Sequence, residues 1–121
     1  MALFKKMCKK AKEIQEAWVP IVGDMTINSD DKIYTVSYVT AMGKISENKY
    51  FIPDIEQLFD LIPYENPVLK ISYLHNSFDE DEKYYRSFKN IDEYILAVIM
   101  KEEHNKVWNH EKELWVIYKW D

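Results

Sequence analysis

Apolar residues recur along this chain with two different spacings, and this constrains the fold more than any other feature. In residues 3–18 the spacing is three or four positions, which places one apolar face on a helix. In residues 33–40 β-branched and aromatic residues alternate, as they do in strands. The mixture predicts an α+β fold, a small and mostly antiparallel sheet with about three helices packed against it. The helical stripe consists of Phe4, Met7, Ala11, Ile14 and Trp18.

The other elements are predicted from turn, capping and periodicity signals. The sequence "NSDD" (28–31) is typical of a hairpin turn. Asp54 and Asn90 are placed to cap helices, and Glu93 would complete a capping box with Asn90. Trp108 and Trp115 are expected to face each other across a terminal hairpin. The remaining predictions are a strand at 49–52, a helix at 54–62, a strand at 68–74, a polar loop at 76–83, a helix from 91 to about 104, and strands at 106–108 and 114–118.

Length and composition indicate one domain, residues 1–121, in a reducing compartment. Apolar residues make up 47% of the chain, enough to form a core. The single cysteine, Cys8, allows no internal disulfide, so we expect a cytoplasmic protein. The longest uncharged apolar stretch, 95–100, is too short to span a bilayer, and no signal peptide is recognisable.

The net charge of −5 is unevenly distributed along the chain. Residues 1–12 contain five lysines and no acid, so the remainder carries −10. Such a balance disfavours binding of long nucleic acid outside that one helix. The lysine-rich helix is therefore interpreted as a solvated face, and the alternative is a basic surface for nucleic acid or an acidic partner.

No catalytic residue, cofactor or metal site is predicted. His104 and His110 are six positions apart and do not match the i, i+4 histidine pair of a helical metal site. Two glycines, Gly23 and Gly43, cannot form a glycine-rich phosphate loop. The acidic run 79–82 favours a solvated loop, but it also provides an alternative hypothesis, a small metal-dependent hydrolase or nuclease that uses the carboxylates of Asp79, Glu80, Asp81 and Glu82.

The stretch "EKYYRSFK" (82–89) is the candidate ligand-binding segment. Aromatic rings beside positive charges suit the base and the phosphate of a small nucleotide. The plainer interpretation is a strand whose aromatic residues alternate between core and surface. A homo-oligomer in which a second subunit completes the pocket is one option, and Trp120 is a candidate anchor for a protein partner. The ligand-binding candidates are Lys83, Tyr84, Tyr85, Arg86, Phe88 and Lys89.

Three stretches together resemble a group of short uncharacterised proteins of phages and prophages of Gram-positive bacteria. They are "KKAKEIQEAWVPIVGD" (9–24), "FIPDIEQLFDLI" (51–62) and "NIDEYILAVIMKEEHNKVWNHEKELWV" (90–116). This chain lacks the arginine expected after Pro53, and "NHEKE" replaces a tight glycine turn. The resemblance implies a phage accessory protein in a bacterial cytoplasm, without a known activity.

The expected function is therefore binding without catalysis. An anti-defence inhibitor is the leading hypothesis, and it has two versions. In one the protein blocks a host immune protein, and in the other it sequesters a signalling nucleotide. Sequestration predicts a cavity near residues 84–89, whereas blocking predicts an exposed aromatic patch.

Overall fold

The computed structural model describes residues 2–37 and 49–119, which fall into two compact units, Met1–Pro53 and Asp54–Asp121. The α+β class is confirmed, because the described residues form six helices and five strands with antiparallel pairing. The strands belong to two small sheets instead of one. There are more helices than predicted because the first helix is interrupted and because residues 67–80 and 82–85 are helical.

The first unit begins with two consecutive helices, α1 (Ala2–Lys10) and α2 (Lys12–Ala17). The predicted apolar stripe is confirmed, since Phe4, Met7, Ala11 and Ile14 are buried. The single predicted helix is interrupted at Ala11, whose ψ of 78° is not helical. Cys8 is also fully buried, and the thiol lies within the core of this unit.

A three-stranded antiparallel sheet completes the first unit, with β1 (Met25–Asn28) between β2 (Ile33–Thr35) and β3 (Lys49–Ile52). The predicted hairpin turn is confirmed. The Asn28 side chain accepts hydrogen bonds from the backbone N–H groups of Asp30 and Lys32, both at 2.9 Å. The strand at 49–52 is confirmed too, whereas the predicted strand residues 38–40 lie outside the described residues.

Gln15 joins the helices to the sheet inside the first unit. Its Nε2 donates to the backbone carbonyls of Cys8 and Phe51, both at 2.9 Å. Its Oε1 accepts from the backbone N–H of Phe51 at 2.7 Å. Beside this contact, the Trp18 ring stacks on the Phe51 ring with centroids 5.0 Å apart.

The second unit begins with α3 (Ile55–Asp60), whose predicted N-cap is confirmed. The Asp54 carboxylate accepts from the backbone N–H of Gln57, and the Gln57 side chain accepts from the backbone N–H of Asp54, which makes a full capping box. Leu58 and Ile62 are buried, whereas the side chain of Ile55 at the first helical position is 49% exposed.

Residues 68–80 were wrongly predicted as a strand followed by a polar loop, because they form the helix α4 (Pro67–Glu80). The Asn66 side chain accepts from the backbone N–H of Val68 at 2.8 Å, and Pro67 occupies the first helical position. That pair is a strong helix start. The buried positions Lys70 and Ser77 are seven apart, a helical spacing, so tertiary packing outweighed the β-branched composition. A short helix, α5 (Glu82–Tyr85), follows directly.

The second unit ends in α6 (Ile91–His104) and a two-stranded sheet of β4 (Lys106–Asn109) and β5 (Leu114–Ile117). The predicted pairing of Trp108 with Trp115 is confirmed, with ring centroids 5.2 Å apart. The capping box predicted at Asn90 was wrong. Asn90 occupies the N-cap position, but its amide donates to the Glu93 carboxylate instead of capping the backbone. Glu93 is buried and also accepts from the backbone N–H of Lys89, which explains the different arrangement.

The described helices are short, and none is both long and apolar enough to cross a membrane.

Candidate functional site

A cleft of about 620 Å³ opens in the second unit between α4, α5 and the start of α6. Ligand pockets in proteins typically measure 300–1,000 Å³. The cleft therefore has room for a ligand of nucleotide size. Its lining residues are Ile71, Leu74, His75, Phe78, Tyr85, Arg86, Phe88, Lys89, Asn90, Ile91 and Tyr94.

One face of α4 forms the first wall of the cleft. Ile71, Leu74 and Phe78 are spaced three and four residues apart, so they project from the same side of the helix. Ile71 is 60% exposed, and Ile91 at the start of α6 is 54% exposed. Two aliphatic side chains on separate helices thus leave apolar surface open to solvent beside the cleft.

An aromatic cluster forms the deeper part of the lining. The Tyr94 ring meets the Tyr85 ring edge-on at 5.4 Å and the Phe78 ring edge-on at 6.2 Å. The Tyr94 hydroxyl donates to the backbone carbonyl of Leu74, which ties α6 to α4. Burial, and to a lesser extent the Asp79 carboxylate, raises the pKa of Tyr94 to about 12. These rings are therefore held in fixed positions by helix packing.

The hydroxyl group of Tyr85 is in a different environment from that of Tyr94. The residue is 2% exposed, and the hydroxyl has no hydrogen-bond partner within the described part of the chain. Burial raises the pKa of the Tyr85 hydroxyl, so it keeps its proton at neutral pH and remains a donor. A buried donor without a partner costs free energy.

The two lining residues with a formal charge at pH 7, Arg86 and Lys89, are both positive. His75, Arg86 and Lys89 line the cleft, and no aspartate or glutamate is among its lining residues. The Arg86 guanidinium lies 3.6 Å from the Glu82 carboxylate and 5.4 Å from the centre of the Phe78 ring. Exposed ion pairs of this kind contribute little stability, so the guanidinium can turn towards a bound anion at small cost.

The cleft gathers four of the six residues predicted from the aromatic and basic stretch: Tyr85, Arg86, Phe88 and Lys89. The other two do not line it. The Tyr84 hydroxyl accepts the backbone N–H of Trp108 at 2.9 Å, and Lys83 is exposed. The strand interpretation of this stretch was wrong, because Asp81 caps α5 and residues 82–85 are helical. Trp120, the predicted partner anchor, lies outside the described residues.

The acidic run 79–82 spans the junction of α4 and α5, and not the predicted loop. Asp79 lies 3.3 Å from His75, and Glu82 pairs with Arg86. Asp81 lies 3.3 Å from the ammonium of Lys101, which is 2% exposed. The positive charge of Lys101 therefore balances the carboxylate of Asp81. The same ammonium lies 4.5 Å from the centre of the Tyr118 ring.

The two histidines considered as metal ligands are in different settings. His104 lies in the last turn of α6, whereas the His110 Nε2 is 2.9 Å from the Ser87 hydroxyl and its ring packs on Phe88. In the ranges 2–37 and 49–119, no three histidine, cysteine or acidic side chains are grouped so that they could hold a metal ion.

Sequence reasoning missed the α4 wall of the cleft. Ile71, Leu74, His75 and Phe78 show the three- and four-residue spacing of a helix face, and the Asn66–Pro67 start gives the register. That signal was available in the sequence, but the β-branched residues at 68 and 71 favoured a strand.

Comparisons with known protein families, with curated proteins and with solved structures found no match to this chain.

Proposed function

We propose that this protein acts by binding, without catalysis, and that the cleft between α4, α5 and α6 holds a small nucleotide. The observation that carries the proposal is the charge of the lining. In a chain with a net charge of −5, the cleft is lined by an arginine, a lysine and a histidine and by no carboxylate. An anionic ligand is therefore favoured there.

The apolar part of the lining suits the base of a nucleotide. A planar base would enter between Ile71 and Ile91, whose side chains are exposed, and would meet the Phe78 ring. Bases stack on such surfaces with little dependence on sequence. The phosphate would then lie against Arg86 and Lys89, since a guanidinium matches phosphate oxygens with two parallel hydrogen bonds.

The resemblance to phage and prophage proteins provides the setting for the proposal. A phage protein that binds a signalling nucleotide tightly would lower its free concentration in the bacterial cytoplasm and so silence a host defence. Sequestration needs affinity and sufficient protein but no turnover. A cleft without a catalytic constellation would be enough.

The blocking version of the anti-defence hypothesis has one observation of its own. Val68 and Leu69 on α4 are 68% and 50% exposed, and Tyr64 in the preceding connection is 45% exposed. Apolar side chains clustered on one helix are a common feature of protein interfaces. We keep a host protein as the second candidate partner, with this surface as its contact.

The experiment that tests nucleotide binding is a calorimetric titration of the purified protein with mono-, di- and cyclic nucleotides. Arg86→Ala should weaken binding of the nucleotide that binds about tenfold to a hundredfold, because it removes a charged hydrogen-bond donor. Lys83→Ala is the matched control. It removes an equal charge from the same segment but outside the lining, and it should change affinity less than about threefold.

Two outcomes would contradict the proposal. If no nucleotide binds, the cleft has another role. If a nucleotide binds and both variants lose affinity equally, the attraction comes from the general charge of the segment and not from the cleft. In either case the exposed apolar surface formed by Tyr64, Val68 and Leu69 would become the leading candidate site. Variants such as Leu69→Glu would then be tested for loss of a host protein from co-purified complexes.

A further inference from the structure

A second cavity, of about 320 Å³, opens in the second unit on the face of α4 that is opposite to the cleft. Residues three, four or seven positions apart lie on the same side of a helix. One such set, at 71, 74, 75 and 78, lines the cleft, and a second set lines this cavity. Glu102 of α6 and Tyr64 before α4 complete its lining. The α4 residues of the second cavity are Leu69, Ser72, Tyr73, Asn76, Ser77 and Glu80.

The charge of the second cavity is opposite to that of the cleft. Its lining contains the carboxylates of Glu80 and Glu102 and no lysine, arginine or histidine. Within the part of the chain that the structure describes, neither carboxylate is in an ion pair. Glu102 is half-buried, and the Ser77 hydroxyl donates to it at 3.1 Å, a bond that leaves its charge in place. A half-buried charge without a counter-ion favours the binding of a cation.

Tyr73 lies in the negative potential of these carboxylates. Its hydroxyl donates to the Glu103 carboxylate at 2.9 Å. Burial raises the pKa of Tyr73, and the negative charges of Glu103 and Glu102 raise it further. The phenol therefore stays neutral at physiological pH, and the charge of the cavity comes from its carboxylates alone.

The size and the aromatic lining of the cavity suit an organic cation better than a metal ion. Magnesium and calcium need several oxygen ligands at 2.0–2.6 Å. In the ranges 2–37 and 49–119, no three acidic, histidine or cysteine side chains are grouped in that way. The Tyr64 ring lies 5.8 Å from the Tyr73 ring, and Tyr64 and Leu69 are 45% and 50% exposed. Rings and aliphatic side chains beside a carboxylate are suited to an organic cation and its hydrocarbon chain.

We propose that the second cavity binds an organic cation, an alkylammonium or guanidinium group. The cation pairs with the carboxylates of Glu102 and Glu80, and its hydrocarbon part lies against Leu69 and the Tyr64 ring. The same group can come from a free diamine or polyamine, or from a lysine or arginine side chain of a protein partner. The site is separate from the nucleotide cleft and does not depend on the function proposed for it.

The experiment is a nuclear magnetic resonance titration of the isotope-labelled full chain, which detects binding up to millimolar dissociation constants and locates it. The probes are putrescine, N-acetylarginine amide, magnesium chloride and the uncharged butanediol. Putrescine or the arginine derivative should shift the signals of the Ser72 backbone amide and the Asn76 side-chain amide. Butanediol and magnesium should leave them nearly unchanged.

Three variants assign the binding to this cavity. Glu102→Gln should weaken binding about tenfold, because it removes the half-buried charge but keeps an oxygen that accepts from Ser77. Tyr64→Leu should weaken it about threefold, since the cation loses the ring. Glu65→Gln is the matched control. It removes an equal charge at an exposed position outside the lining and should change affinity less than about twofold.

The possible results are distinguishable. Binding of putrescine alone supports the proposal and identifies a free amine as the ligand, and binding of the arginine derivative alone supports it and identifies a side chain of a protein partner. The proposal is overturned if neither binds, if butanediol or magnesium binds as tightly, or if Glu102→Gln and Glu65→Gln have equal effects. None of these results depends on nucleotide binding, because all three variants keep the lining of the cleft unchanged.

Discussion

Tyr85 and Tyr94 lie in the same aromatic cluster but differ in the hydrogen bonding of their hydroxyl groups. The Tyr85 hydroxyl is buried and has no partner among the described residues, so Tyr85→Phe should leave the free energy of unfolding unchanged or raise it by up to about 1 kcal/mol. If the hydroxyl contacts a nucleotide in the cleft, the same variant should lose affinity for it. Urea unfolding and calorimetric titration of one sample would show both effects.

Tyr94→Phe is the control for that prediction. It deletes the same hydroxyl group, but here the group donates to the backbone carbonyl of Leu74. We expect a loss of about 1 kcal/mol, since the hydrogen bond between α6 and α4 is lost. Equal destabilisation by the two variants would mean that the Tyr85 hydroxyl has a partner after all.

The Gln15 side chain makes three hydrogen bonds to the backbone of the first unit. It donates to two backbone carbonyls and accepts from one backbone N–H, joining α2 to β3. Gln15→Ala should therefore lower the free energy of unfolding by about 2–3 kcal/mol, at roughly 1 kcal/mol for each bond. Chemical denaturation followed by tryptophan fluorescence would measure it, because Trp18 lies beside this contact.

The neighbouring Glu16→Ala serves as the control. Glu16 is exposed, and its ion pair with Lys12, 3.7 Å long, is of the i, i+4 type. Such pairs contribute about 0.3–0.5 kcal/mol. A Gln15→Ala loss no larger than that of Glu16→Ala would show that the three bonds to the backbone add nothing to the stability of the unit.

Among the helices, α4 allows the stabilisation by its N-cap residue, Asn66, to be measured. Asn66→Ala removes the side chain that accepts from the backbone N–H of Val68 and should cost about 1 kcal/mol. Asn76→Ala makes the same change at an exposed position within the helix, where alanine is the better helix former, and should stabilise by up to about 0.7 kcal/mol. Thermal unfolding of both variants gives the comparison, and effects of equal sign would contradict it.

The same helix shows where sequence reasoning succeeded and where it failed. The hairpins and α3 were predicted because local chemistry determines them, as with the Asn28 turn and the Asp54 cap. The segment 68–80 has a mixed signal, with β-branched residues in a helical spacing and a cap at Asn66. Contacts distant in sequence decided it, such as the Lys70 ammonium donating to the backbone carbonyl of Phe59 at 2.9 Å.

The candidate site was predictable only in part for the same reason. The stretch 82–89 stands out in the sequence by its rings and charges, and four of its six candidates line the cleft. The opposing wall comes from α4, and Ile91 from the start of α6. A cavity requires the relative placement of three helices, and neither spacing nor composition specifies that placement.

For the molecule as a whole, buried tyrosines limit the pH range in which the fold is stable. Burial is the main cause that raises the pKa of Tyr94, to about 12, and it raises that of Tyr73, Tyr84 and Tyr85 as well. All four lie in the unit Asp54–Asp121. In the unfolded chain a tyrosine loses its proton near pH 10. Above that pH the unfolded state binds fewer protons than the folded state, so the free energy of unfolding falls as the pH rises.

We therefore expect full stability from these groups below about pH 10 and a progressive loss through pH 12. The measurement is an alkaline titration that follows phenolate absorbance and near-ultraviolet circular dichroism together. Some of the phenolate signal should appear only when the dichroism is lost, because the buried hydroxyl groups ionise on unfolding. Tyr94→Phe should make the decline in stability between pH 10 and 12 shallower, since one fewer proton is involved. A titration completed near pH 10 with the dichroism intact would mean that these hydroxyl groups are open to solvent, and the aromatic lining of the cleft would then be less firmly packed than the geometry indicates.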